Sequence, residues 1–429
     1  MMSESMEQEG KEVLRRLVQA GYEAYFVGGC VRDKLIGKPL KDIDIATSAL
    51  PETVLELFER TVPTGLAHGT VTVLMERHPF EVTTFRKESE YEQYRRPKEV
   101  EFISDLNEDL RRRDFTINAM ALAEDGRIID PFGGQRDLVG CLIRAVGDPL
   151  ERFGEDALRM LRGIRFACEY GFGIEDDTWE ALVDHAPLLV HVAMERVYAE
   201  LTKMIAGSAP DRAIDLLAQS RLPDYFKESV GWPSLTRGDT DRAVWRLAEL
   251  DDPELRWTGL LARLGLDASQ AKQSLKRLTF PGKKSEHIVK LLQADEWMER
   301  SRWRETDGGE AGYDLIARAA VSFGKSIVRD WLTLAAWRYK AETGALAGEP
   351  HAAAFLSNAS LWLERVPVER VQDLAIDGSE LVRELDKPPG PWLGQLLGEL
   401  LLLTAGRRLP NEREALAEQA KFIAKRDTY

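Results

Sequence analysis

Three acidic residues in the first part of the chain have the types and spacing for metal-assisted chemistry. Asp42 and Asp44 flank Ile43 in the stretch KDIDIAT. Residues i and i+2 of a strand point to one face, so the two carboxylates project side by side. Such a pair repels unless a cation lies between its members or solvent screens it. Oxygen-only donors suit Mg2+, which takes one or two carboxylates and completes its shell with substrate phosphates and water. Upstream, AYFVGGCVRDKLIG reads as an apolar strand stopped at Gly28 and Gly29, then a helix ending at Gly37. A strand–glycine–helix turn lets backbone N–H groups approach phosphate oxygens. Arg32, one turn into that helix, is placed to reach one as well. The segment therefore reads as the holder of a metal–triphosphate. It is not a Walker P-loop, which requires GxxxxGK[ST]. A two-metal nucleotidyl-transfer site calls for a third carboxylate, and PFEVTTFR offers Glu81 on a neighbouring predicted strand. Each signal alone also has a plain reading: a solvated strand end, a glycine turn, an edge-strand acid.

The elements that must position these groups are mixed α/β up to about residue 145. KEVLRRLVQA is an amphipathic helix, PETVLELFERT a helix opened by Pro51, and TVTVLM and FEVTTF a pair of strands. Residues 86–104 are charged and weakly periodic and predict mostly mobile loop. DLNEDLRRRDFTINAMAL resumes regular structure, and GRIIDPFGG is a strand followed by a turn. From about residue 148 the pattern changes to amphipathic helices almost without interruption, beginning with ERFGEDALRMLRGIRFACEY.

Composition narrows the function classes. The apolar content of 44% suffices for packed cores. No apolar run is long enough to span a membrane, and the N-terminal residues lack the pattern of a secretory signal. Cys30, Cys141 and Cys168 lie far apart with no CxxC pair, which reads as free thiols. The histidines show no metal spacing. A net charge of −14 argues against general coating of nucleic acid, although a local basic groove on an acidic body remains compatible with phosphate contacts.

The motifs GGCVRD…DIDIAT, RRRDFTINAMA, DPFGGQRDL, EDALRMLRGIRFA and ERVYAEL, in this order, resemble the bacterial class II CCA-adding enzymes, tRNA nucleotidyltransferases with a polymerase-β-like signature. The set covers roughly the first half of the chain; the second half resembles the family only in its helical character. The resemblance implies an α/β nucleotidyltransferase head over 1–147, a helical neck over 148–205 that recognises the nucleotide base, a helical body over 206–300 and a helical tail over 301–429 that meet tRNA. It implies cytoplasmic, Mg2+-dependent addition of C, C and A to tRNA 3′ ends from CTP and ATP, by a monomer or a homodimer. Residue by residue, Asp42 and Asp44 match the metal-binding aspartates, with Glu81 the candidate third catalytic carboxylate. Gly29, Arg32 and Arg113 match nucleotide-binding positions, with Asp114 and Asn118 nearby as ribose-side candidates. Asp156, Arg159, Arg162 and Arg165 match the neck residues that hold the incoming base and its phosphates, and Glu195 and Arg196 fall in the motif that buttresses the neck.

One of these assignments also follows from the residues themselves. On a helix, Asp156 and Arg159 are i, i+3 neighbours on one face, an acceptor beside a donor. Cytosine and adenine each present an amino donor beside a ring-nitrogen acceptor, whereas uracil and guanine present the reverse. The pair can therefore select C and A together; its plain alternative is a surface ion pair. AKQSLKRLTFPGKK (271–284), with five Lys/Arg and no acid, reads either as an RNA-backbone contact or as a solvated face. Three alternatives share the motifs or the fold. A CC-only adding enzyme would have the 85–102 loop shortened, and here it is full length. A bacterial poly(A) polymerase would typically carry basic extensions. A catalytically silent RNA-binding protein would not need intact aspartates.

Overall fold

A computed structural model of the chain describes residues 2–92, 96–232, 245–306, 308–343 and 350–426. They form two compact units: one comprises the chain through Val230, the other Gly231, Trp232 and the described residues from Trp245 onward.

The first unit runs α1 (Met2–Gln19), β1 (Ala24–Val27), α2 (Gly29–Leu35), β2 (Asp44–Thr47), α3 (Pro51–Leu57), β3 (Thr61–Gly65), β4 (Thr70–Leu74), β5 (Pro79–Thr84), β6 (Arg86–Glu92), β7 (Arg96–Phe102) and α4 (Leu106–Arg111). It continues with β8 (Ala121–Leu122), β9 (Ile128–Ile129), α5 (Gly134–Val139), β10 (Leu142–Ile143), α6 (Pro149–Glu155), α7 (Leu158–Tyr170), β11 (Gly173–Ile174), α8 (Asp176–Asp184), α9 (Met194–Ala206) and α10 (Pro210–Ser220). Seven strands form one sheet in the order β3-β4-β5-β2-β1-β8-β9. Within this sheet, among the described residues, only β2 and β5 pair in parallel, in a register that sets Asp44 opposite Glu81. Ile45 and Val82, the next pair, are both buried. A slip of one residue would expose them, so burial fixes the register that brings the two acids together.

The core is built from the expected patterns. Val13, Leu14 and Leu17 form the buried stripe of α1 and join Phe26, Ile45, Val71, Val73 and Phe80 in one cluster. Phe166, Ala167 and Phe172 belong to the same cluster, so the helical segment after residue 148 is packed into the core of the mixed α/β part.

Three local expectations change. First, β2 begins at Asp44, so Asp42 precedes the strand and does not share its pleat. Second, residues 86–92 and 96–102 are strands, and β6 and β7 pair antiparallel from Arg86–Phe102 to Glu92–Arg96. A two-stranded ladder satisfies backbone groups by mutual pairing and needs no apolar alternation, so periodicity gives no sign of it. Residues 93–95 of this segment lie outside the described residues. Third, ERFGEDALRMLRGIRFACEY is two helices, α6 and α7. The break falls at Asp156, whose backbone is extended (φ −142°, ψ 101°).

The second unit is helical: α11 (Pro253–Arg263), α12 (Ala268–Arg277), α13 (Gly282–Arg300), α14 (Glu310–Phe323), α15 (Lys325–Thr343), α16 (Pro350–Arg365), α17 (Gly378–Leu385), α18 (Pro391–Ala405) and α19 (Arg413–Arg426). Trp303, Trp331 and Phe355 pack together, Trp331 edge-on to the other two, with ring centroids about 5.4 to 6.5 Å apart. The Trp331 indole N–H donates to the Asp295 carboxylate at 3.0 Å, which satisfies the one polar group of that ring. The basic stretch 271–284 spans most of α12 and the start of α13. Among the described residues no helix is long and apolar enough to cross a membrane.

Candidate active site

An open cleft of about 450 Å³ in the first unit collects most of the residues singled out above. Gly28 and Gly29, Arg32, Asp42, Asp44, Arg113, Asp156, Arg159 and Arg162 line it, with Asp114 and Asn118. Its walls come from the turn after β1, the approach to β2, the segment after α4, and α7.

Gly28 has φ +74° and ψ −131°, a conformation open to glycine but strained for other residues. A Cβ there would also stand 2.9 Å from Arg113 Nη1. Glycine thus lets the Arg113 guanidinium lie against the turn. Arg32 is buried: its Nε donates to Asp33 at 2.9 Å and its Nη1 to the Asn118 side-chain oxygen. The guanidinium carbon lies 4.5 Å from the Tyr170 ring centroid and 5.3 Å from that of Phe166. Asp114 accepts from the Phe115 amide (2.8 Å), from Asn118 Nδ2 (3.0 Å) and from Arg162 Nε (2.8 Å). Burial would raise its pKa; the Arg162 charge and these hydrogen bonds outweigh it and hold the carboxyl far below the usual range. Asp109 likewise anchors Arg112 (2.8 Å) and Arg113 (3.3 Å). Arg113 Nε, in contrast, is buried with no hydrogen-bond partner. An unsatisfied buried donor costs about 1–3 kcal/mol.

The electrostatics are two-sided. Six arginines line the cleft against four aspartates, inside a chain of net charge −14. Asp44 is pushed up to about 6, first by burial, then by the charges of Asp42 and Glu81, with Arg113 acting in the opposite direction. The aspartates therefore carry uncompensated negative charge, and a divalent cation beside them would relieve it. Among the described residues no group of three or more His, Cys, Asp or Glu is drawn together as a self-contained metal cage. Two aspartate donors fit Mg2+, whose remaining ligands come from phosphates and water.

Three placements differ from expectation. Glu81 pairs in register with Asp44 and acts on its charge, but it is exposed and does not line the cleft. Asp156 and Arg159 are not partners of each other. The Asp156 carboxylate caps the start of α7 through the Leu158 amide (3.1 Å) and accepts both Nη groups of Arg196 (3.1 and 2.7 Å). Arg159 donates to the carbonyls of Arg152 (3.0 Å) and Arg112 (2.7 Å) and to Glu155 (2.5 Å). The extended backbone at Asp156 removes the i, i+3 relation of a continuous helix, so each side chain is set by its own partners. Arg165 lies outside the cleft and bonds Glu200 on α9 (2.5 Å) and Glu169 (2.9 Å). Arg112, Leu158, Phe166 and Arg196 line the cleft without having been singled out as nucleotide contacts. Phe166 was legible from helical spacing, one turn beyond Arg162. Arg196 reaches the site from a separate helix, for which local spacing offers no sign.

The chain is similar to known proteins over nearly its whole length. Residues 24–144 match the family model described as the poly A polymerase head domain, residues 171–230 that of the probable RNA and SrmB-binding site of polymerase A, and residues 248–420 that of tRNA nucleotidyltransferase domain 2. The CCA-adding enzyme of Geobacillus stearothermophilus is 38% identical over 95% of both chains. That of Levilactobacillus brevis is 38% identical over 95% of both. The crystal structure of the Bacillus stearothermophilus CCA-adding enzyme in complex with CTP superposes with a TM-score of 0.81, at 34% identity over 98% of both chains.

Proposed function

Because the chain belongs to the family of CCA-adding enzymes, with 38% identity to a relative over 95% of its length, we propose that the arginine-lined cleft is where it joins nucleotides to RNA. The reaction is the template-independent addition of C, C and A to the 3′ end of tRNA from CTP and ATP, with release of pyrophosphate. Relatives that share nearly the whole length are CCA-adding enzymes, which disfavours a CC-only enzyme or a poly(A) polymerase.

The observation that carries the residue assignment is the juxtaposition of the crowded aspartates with the six arginines. Asp42 and Asp44 would hold Mg2+, which when bound neutralises phosphate charge and favours ionisation of the RNA 3′-hydroxyl. Arg32, Arg113 and Arg162 line the cleft and are aimed at the triphosphate. Gly28 and Gly29 keep that approach open. Glu81 acts here through its charge on Asp44 and is proposed as a positioning residue. Arg165 braces α7 against α9 through Glu200.

Base choice is assigned to Asp156 and Arg159, acting as separately held groups. A carboxylate offers about four lone-pair sites. At Asp156, Leu158 and Arg196 account for three, so one further bond can come from the amino group of cytosine or adenine. Arg159 meets the ring nitrogen with a guanidinium whose plane three bonds already fix. Arg196 thereby becomes a positioning residue for specificity. The division into head, neck, body and tail at 147, 205 and 300, and a cytoplasmic place of action, belong to the same proposal.

The test is purified protein with a tRNA lacking its 3′ end, Mg2+ and each nucleotide separately, with products resolved at one-nucleotide resolution. Two C additions followed by one A are expected; incorporation of C alone, or a long A tract, would overturn the assignment. The β6–β7 ladder yields a related expectation. Removing about ten residues within 87–97 should spare C addition and slow the final A at least tenfold, because the purine step requires the pocket to be re-set by a moving element. Single-turnover rates for each position check this; an unchanged A rate would remove the ladder from the switch.

A further inference from the structure

Beside the cleft, the first unit holds a second cavity, of about 590 Å³. Lys38 and Lys41 from the approach to β2, Arg165 and Glu169 on α7, and Lys203 on α9 line it, together with the turn at Ser208 that opens α10. Its lining thus carries four cations against one carboxylate, in a chain of net charge −14. Arg165 is held rigid by Glu200 and Glu169, and Lys203 lies 3.3 Å from Glu200. Lys38 stands 4.0 Å over the Tyr170 ring. Lys41 is exposed and, among the described residues, faces no carboxylate within ion-pair distance.

The cavity adjoins the cleft at three points. Lys41 lines the cavity and Asp42, the next residue, lines the cleft, with Cα atoms about 3.8 Å apart. On α7, Arg162 lines the cleft and Arg165 the cavity. Tyr170 touches both, with Arg32 of the cleft 4.5 Å and Lys38 of the cavity 4.0 Å from its ring.

We propose that this cavity binds a backbone phosphate of the tRNA acceptor strand next to its growing 3′ end. The inference rests on the CCA-adding reading of the cleft. A strand whose terminal hydroxyl reaches Asp42 and Asp44 brings its nearest phosphates past Lys41. The phosphates of the incoming nucleotide are met by the arginines of the cleft, which offer fixed planar forks. Lysines are point charges on flexible stems, suited to a strand whose sequence varies but whose backbone charge does not.

The experiment compares wild type, Lys38→Gln, Lys41→Gln, Lys203→Gln and the triple variant, using tRNA lacking CCA. The readouts are Kd for the tRNA as a function of KCl, KM for CTP, KM for pyrophosphate in the reverse reaction, and thermal midpoint. The triple variant should bind tRNA about tenfold or more weakly, the scale of one charge-assisted hydrogen bond. Its log Kd against log salt should flatten by roughly 0.7 for each phosphate that is no longer neutralised. KM for CTP should stay within about twofold, and a triple Lys→Arg variant should restore binding, since charge is what matters. Unchanged tRNA affinity and salt slope in the triple variant would overturn the proposal. So would a raised KM for pyrophosphate with tRNA affinity intact, which would make this a product site, or failure of Lys→Arg to restore binding. Wild-type protein that binds tRNA but extends it with no nucleotide would sink the parent reading instead, because the lysine result is judged on binding.

Discussion

Replacing Asp44 by asparagine is expected to abolish nucleotide addition and, in the absence of metal, to make the protein more stable. The loss of activity should be on the order of 10³-fold or more, the scale of several kcal/mol of metal-borne stabilisation. Asp42→Ala should behave similarly, and in both variants tRNA affinity should stay near wild type, because the carboxylates serve metal and not RNA backbone. The stability gain follows from the environment of Asp44. Burial and the charges of Asp42 and Glu81 push its carboxyl up to about 6. A carboxyl whose folded pKa lies above its unfolded value adds stability that is fully present below the unfolded pKa, near 3.8, and lost as pH rises through about 6. At pH 7.5 ionised Asp44 therefore works against the fold by about 2–3 kcal/mol. Asparagine keeps the size and removes the charge. Chemical denaturation in EDTA at pH 7.5 should show Asp44→Asn more stable than wild type by about 1–3 kcal/mol. The gap should narrow on acidification to near pH 4.5, close below about 3.8, where the carboxyl is protonated in both states, and shrink in saturating Mg2+. A variant equally or less stable in EDTA at pH 7.5 would refute the crowded-carboxylate account. Near-normal incorporation would refute the metal assignment. By the same sign, Mg2+ affinity of the wild type should fall as pH drops through about 6.

Arg159→Ile should loosen the choice of nucleotide more than it slows chemistry. If Asp156 and Arg159 read the donor and acceptor edge of the base, removing either takes away roughly 1–3 kcal/mol of discrimination. Selection of CTP and ATP against UTP and GTP should then fall about 5- to 150-fold, with the metal site untouched. Arg159 also ties the carbonyls of Arg112 and Arg152 and the Glu155 carboxylate, so Arg159→Ile should lower the thermal midpoint as well. Asp156→Ala supplies the control, since it leaves those three bonds in place and removes instead the acceptor held by Arg196 and the cap on the Leu158 amide. Ratios of kcat/KM for the four nucleotides, measured on the appropriate tRNA ends, decide the matter. Unchanged ratios in both variants would reduce the two residues to structural bracing. Arg196→Ala should have an intermediate effect on the ratios, because it leaves the Asp156 acceptor present but no longer oriented.

Some of this was fixed by the sequence alone. The strand that stops at Gly28 and the helix that opens at Gly29 and ends before Gly37 are local events, set by backbone freedom at glycine and by short-range periodicity. The change from mixed α/β to helices near residue 148, and the order of the motifs, are likewise written along the chain and were enough to point to the family. What neighbours do across space was not legible. The parallel register that sets Glu81 opposite Asp44 depends on which strand β2 chooses as partner, and burial of Ile45 and Val82 enforces it. Asp156 looked like the partner of Arg159 because helical spacing says so, yet an extended residue at the junction of α6 and α7 hands its carboxylate to Arg196, forty residues later. Arg165, one turn from Arg162, belongs to a different cavity because Glu200 on α9 draws it there. Spacing along one element determines which side chains share a face. The partner across the gap is chosen by packing and by the need to satisfy buried charge, and both are properties of the folded chain.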